Sequence, residues 1–218
     1  MKSRLLTIGL LLVFSVSFGQ NRPSVLIGLD VLKPVFSVVR PSHNAYRLAE
    51  ATIKIPLSTN YLSIAGGYAS LQSDTISRNM RLHDEGYYLK VGVENVGPGG
   101  LVLGCQGLVS LYRQSGTYFF KGTTFGDYES PIPNQANAAI GVEGLLGHQM
   151  ALSPRFSLRL TGRITTAALF GPKDGGMPPY FVPGIGHVAG NSLVYSVGVG
   201  IHLLYQLHLR PTATSIHD

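Results

Sequence analysis

Charged side chains make up only 13% of this 218-residue sequence, against about 25% in ordinary soluble domains. Those that recur at alternating positions are the ones that invite chemistry. Asp30, Glu50, Glu94 and Glu143 sit between apolar neighbours, and so do Lys54, Lys90, Arg159 and Arg163. Four acids and four bases on one side of a sheet suit either a proton or ion path or a plug of mutually neutralising pairs, because charge taken out of water must be paired. Arg159 and Arg163 lie two inward positions apart on one segment, so a carboxylate opposite each is the expected neutraliser. An eight-stranded interior is just wide enough for its own side chains, which favours the plug.

Seven histidines raise the further options of a metal site or a general base: His43, His83, His148, His187, His202, His208 and His217. No two form a close ligand pair on one face. His202 falls on the same inner set as the charges and reads as a hydrogen-bonded structural residue. An enzyme acting on outer-leaflet lipid needs a Ser/His pair facing that leaflet. His148 falls at the wrong end of its segment for it, so no catalytic residue, metal or cofactor is expected. The glycines of VPGIGHVAGN do not follow a strand and open a helix, so they read as loop conformation and not as a phosphate cradle.

The elements that must position the charges have a period of two, the mark of strands with two unlike faces. Leu193 to Leu207 sets Leu193, Tyr195, Val197, Val199, Ile201, Leu203, Tyr205 and Leu207 against Val194, Ser196, Gly198, Gly200, His202, Leu204 and Gln206. The same alternation runs through Val25–Val31, Ala49–Leu57, Leu62–Tyr68, Tyr87–Val93, Leu101–Leu111, Ala136–Met150 and Arg155–Phe170. That makes eight strands, and no helical period of 3.6 occurs anywhere in the chain after its N-terminal segment. The connections alternate short and long. Ser58–Asn60, Asn95–Gly100 and Ser153–Pro154 are short, whereas Arg40–Asn44, Gln72–Glu85, Arg113–Gln135 and Gly171–Asn191 are long. Short turns at one end and long loops at the other, with an even strand count, are the asymmetry of an outer-membrane barrel of a Gram-negative bacterium.

Alternation alone does not separate such a barrel from a soluble one with its apolar face inward. The polar set decides the matter, being rich in Gly, Ser, Ala and Thr where a water-facing surface would carry long charged side chains. Tyr195 and Tyr205 lie ten residues apart on the apolar face. At about 3.3 Å per residue and a tilt of about 40°, that is roughly 25 Å along the axis, the height of a barrel's apolar band. Tyr195, Tyr205, Phe156 and Phe170 are therefore the expected girdle at the membrane interfaces.

The N-terminus, MKSRLLTIGLLLVFSVSFGQ, has Lys2 and Arg4, an apolar run and small residues before Gln20. It reads as a signal peptide over 1–19 that is cleaved, followed by a barrel over 20–210 and a tail over 211–218. Without Lys2 and Arg4, 15 basic residues remain against 11 acidic ones, a net charge of +4. These positives are scattered, which gives no footprint for nucleic acid. Cys105, the one cysteine, sits in an apolar alternating run where packing or lipid contact is expected. Tyr118, Phe119, Phe120 and Phe125 in the third long loop, and Tyr180 and Phe181 in the fourth, either cap the barrel or meet a partner.

GLDV (Gly28 to Val31), EGYYLKVGVENV (Glu85 to Val96) and PYFVPGIG (Pro179 to Gly186) are similar to motifs of a Bacteroidota family of outer-membrane β-barrel proteins of unknown function. The whole arrangement resembles the small eight-stranded barrels of OmpA/OmpX type. The resemblance implies an envelope location and a shape, and no activity. The reading is a monomeric, all-β, antiparallel up-and-down transmembrane barrel with a filled polar lumen. Its role is either structural or one of interaction carried by the extracellular loops, with outer-membrane lipid as the expected partner and another envelope protein as the candidate one. An accessory-subunit role is the first alternative, with Ala136, Ala138 and Gly144 allowing close approach, and a lipid-modifying surface enzyme the second.

Overall fold

The computed structural model describes residues 24–39, 44–77, 79–120, 122, 126–171, 179–189 and 192–207. The expected signal peptide and C-terminal tail, and Phe125, lie outside them. Eight strands close into one antiparallel barrel: β1 (Val25–Asp30), β2 (Asn44–Pro56), β3 (Tyr61–Ser77), β4 (Met80–Val96), β5 (Leu101–Phe120), β6 (Tyr128–Ala151), β7 (Phe156–Phe170) and β10 (Leu193–Leu207). Each pairs with its neighbour in sequence order, and β1 closes the ring onto β10 through Val25↔Leu207 to Asp30↔His202. A small hairpin, β8 (Phe181–Val182) with β9 (Gly186–His187), precedes the last strand.

The period of two explains both faces. Ile27, Leu29, Ile53, Leu89, Leu103, Val142, Leu160 and Val197 stand exposed on the outer face, and the alternate residues fill the interior. Cys105 is exposed on that outer face. Of the expected girdle residues, Tyr205 and Phe156 meet with ring centroids 5.1 Å apart at the short-turn end. Tyr195 and Phe170 are exposed toward the other end, where Tyr68 and Tyr87 form a second ring pair.

Two expectations are corrected. First, the chain does contain a helix, α1 (Leu32–Val39). Asp30 starts it by accepting hydrogen bonds from the Leu32 and Lys33 amides at 2.9 and 3.2 Å, and Pro34 falls in the first turn, where N–H groups have no intrahelical acceptor. Two turns are too short for a 3.6 period to stand out, and Val35, Val38 and Val39 look like strand residues. Secondly, much of the long loops is strand. The β3–β4 pair continues to Ser77↔Met80 and the β5–β6 pair to Phe120↔Tyr128. A strand of 20 residues such as β5 spans roughly 50 Å along the axis, so these hairpins project well past an apolar band of about 25 Å.

Candidate functional site

All nine charged or histidine residues singled out from the sequence lie on the lumen side, and they form two connected groups. Nearer the short-turn end, Glu94 pairs with both Lys54 and Arg159. Gln106 donates to Glu94 at 2.9 Å, and Gln149 accepts from the Arg159 Nε at 3.1 Å. One layer up, Lys90 donates to both Glu143 oxygens at 3.0 and 2.9 Å, Thr165 donates to Glu143 at 2.9 Å, and Arg163 stands 3.8 Å from the same carboxylate. Glu50 gathers Lys33, the Tyr88 hydroxyl at 2.7 Å and His202 at 3.2 Å. The cavity left within this cluster is ≈ 30 Å³.

Several partners were not anticipated from sequence. Lys33 comes from α1 and its ammonium lies 3.3 Å from Asp30 and 3.2 Å from the Tyr88 hydroxyl. The four-against-four count therefore becomes five bases against four carboxylates in this cluster. Tyr88 sits at an inward position of its alternating run, which was the available signal. Gln106 and Gln149 have the same parity as the charges, but uncharged amides at such positions carry no sequence signal of their own. Asp30, Glu50 and His202 bring three possible metal ligands together. The Lys33 ammonium already fills the cationic place between the two carboxylates, and a second cation there would be repelled.

The other half of the interior holds two apolar clusters beside buried Asp84 and Gln114. Phe181, Val182 and Ile185 of the β8–β9 hairpin are buried inside the barrel mouth. Val182 and Ile185 pack with Leu108, Tyr112, Ala139, Ala167 and Val194, and Phe181 with Ala69, Leu71 and Tyr88. Gly184, at φ +78, lies against the Tyr88 ring where a Cβ would collide. Only glycine combines that left-handed backbone with so close an approach. The alternative left open for the fourth loop is thus decided for Phe181, which caps the barrel, while Tyr180 stays exposed beside His187, the centroids 4.6 Å apart. Burial lowers the pKa of His187 from its ordinary value, and its Nε2 lies 3.1 Å from the Tyr46 hydroxyl.

In the third loop, Tyr118 stacks on Phe120 and Phe120 on Tyr128, and Phe119 lies under the Arg81 guanidinium at 5.4 Å. Phe120 and Tyr128 remain 51% and 64% exposed, so this end of the projecting hairpin offers an aromatic surface to the surroundings. No protein-family model, curated protein or solved structure matches the chain.

Proposed function

We propose that the chain spans the outer membrane of a Gram-negative bacterium as a barrel closed to ions, with a structural or interaction role carried by its projecting hairpins. The observation that carries this reading is the inversion of the usual distribution. The outer wall is a belt of exposed Leu, Ile and Val, while Glu94, Glu143, Lys90 and Arg159 are at most 2% exposed inside. Such a wall is soluble only in hydrocarbon, and an interior with its ions paired and little space between them passes neither solute nor current. The eight-strand count and the GLDV, EGYYLKVGVENV and PYFVPGIG motifs support kinship with small outer-membrane barrels, the uncharacterised Bacteroidota family among them.

The exposed Phe120 and Tyr128 favour the loop end as the contact surface for another envelope protein. The outer face of β6 favours the accessory-subunit reading as a second possibility, since Ala136 and Gly144 are exposed and a Cβ at Gly144 would meet open space. The test is to express the full chain, fractionate membranes and record planar-bilayer conductance. Detergent-dependent extraction with no channel steps is the expected result. A chain that stays in the aqueous fraction, or one that conducts, overturns the proposal.

A further inference from the structure

β1 is far shorter than the strands it joins. It covers β10 only from His202 to Leu207, and β2 only from Ala51 to Lys54. Above Asp30 the chain leaves the wall as α1, which packs along β2 and touches β10. Among the described residues, no strand pairs with β10 on its β2 side between Tyr195 and Ile201, about 20 Å of edge. At its two ends this edge is held by Val31 donating to the Ile201 carbonyl at 2.8 Å and by a bridge between Ala189 and Tyr195. The wall therefore has a seam in its long-loop half.

Behind the seam is a cavity of ≈ 220 Å³. Its lining joins interior residues (Leu48, Ile185, Arg163) with Val197 and Val199, whose side chains are 79% and 60% exposed on the outer face. Leu32 and Lys33 of α1 complete the lining beside Leu48 of β2, so the cavity lies against the unpaired stretch where α1 touches both β2 and β10. Arg163 reaches it across Gly198, its partner in the ladder, because a side chain at Gly198 would strike the guanidinium. Arg163 is also the least neutralised base of the cluster. Its closest carboxylate oxygen is 3.8 Å away, and its buried Nε has no hydrogen-bond partner. The further buried acid, Asp84, lies higher, against Gln114 and the Phe181 backbone.

We propose that this seam is a lateral binding site for a single-chain anionic amphiphile of the fatty-acid class, its carboxylate at Arg163 and its tail leaving past Val197 and Val199 into the bilayer. The volume fits a head and its first few carbons, since an apolar cavity of about 150 Å³ already holds benzene. A buried, under-neutralised guanidinium is the group that selects a carboxylate over an alcohol. The proposal rests on the membrane reading above, since the tail needs hydrocarbon outside the wall.

The test is native mass spectrometry of the full chain folded in a non-ionic detergent, with palmitate, hexadecanol and inorganic phosphate as separate probes. One palmitate per barrel is expected, with hexadecanol and phosphate each bound at least about tenfold more weakly. Arg163→Gln is expected to reduce palmitate to the hexadecanol level. Leu48→Trp, which fills the cavity from β2 and leaves Arg163 in place, is expected to abolish binding, and it decides the matter if Arg163→Gln does not fold. Palmitate retained in full by Leu48→Trp overturns the proposal, as does phosphate binding as tightly as palmitate, which indicates an anion site fed from water. A chain that binds palmitate yet needs no detergent keeps Arg163 as the carboxylate's partner and refutes both the membrane reading and the tail's exit into a bilayer. A detergent-dependent chain that binds none refutes the site alone.

Discussion

The two halves of this barrel solve the problem of an interior differently. Below Asp30, β1 completes the ladder and the lumen is filled by the pairs of Glu94 with Lys54 and Arg159. The Glu143 layer instead stands beside the interrupted stretch, where Thr165 faces Ser196 and Arg163 faces Gly198. Above Asp30, α1 takes the place of the strand, and the apolar β8–β9 hairpin enters the lumen from the mouth. A continuous ladder satisfies every backbone group of the wall and holds charged side chains at fixed spacing, which buried pairs need. Toward the mouth, the inserted hairpin adds apolar contacts that do not depend on exact placement. The two charge layers therefore differ in their wall: the Glu94 pairs lie where it is closed, and Arg163 lies where it is interrupted.

The sharpest way to break this contrast is at Glu94. Glu94→Ala leaves Lys54 and Arg159 buried beside each other without their carboxylate, and a loss of about 3–5 kcal/mol is expected for such a rupture. Urea unfolding in detergent micelles should show the transition moving to much lower denaturant for the whole barrel. A midpoint unchanged from the native chain refutes the ionic plug as a stabilising unit. Gly184→Ala addresses the other half. A left-handed backbone carrying a side chain costs about 1–2 kcal/mol, to which the collision with Tyr88 adds. The expected outcome is faster amide exchange confined to Phe181–His187, with β1 to β7 unaffected; global unfolding instead shows that cap and wall are one cooperative unit.

The smallest effect is one of pH. Because burial depresses the His187 pKa, the neutral imidazole is the form the folded cap favours. Stability from this group is present above the ordinary histidine value of about 6.5 and is lost as pH falls through the lower folded value. Amide protection factors in the β8–β9 hairpin, corrected for the intrinsic pH dependence of exchange, should fall on acidification below that range, and His187→Gln should remove the dependence. Identical acid sensitivity in His187→Gln places its origin elsewhere.

The span of β10, Leu193–Leu207, was legible in the sequence because fifteen residues alternate without a break. The extensions of β3 to β6 were not, since segments such as Gln72–Glu85 and Tyr128–Gln135 lose the apolar alternation once they project beyond the wall. The aromatic and glycine residues of the fourth loop likewise gave no sign by themselves of whether Phe181 would turn inward. Its burial depends on a mouth lined by Ala69, Leu71 and Tyr88 from two other strands.

By itself the sequence determined two faces, eight strands, the alternation of short and long connections, and which side the charges share. These are local properties, set by a side-chain period of two and by turn composition. Only the tertiary structure decided that Glu94 meets Arg159, 65 residues away, that Lys33 joins Glu50 from a helix, and that the wall parts between β2 and β10. Those contacts are fixed by ring closure and strand register, which relate residues across the barrel and leave no trace in any short stretch of chain.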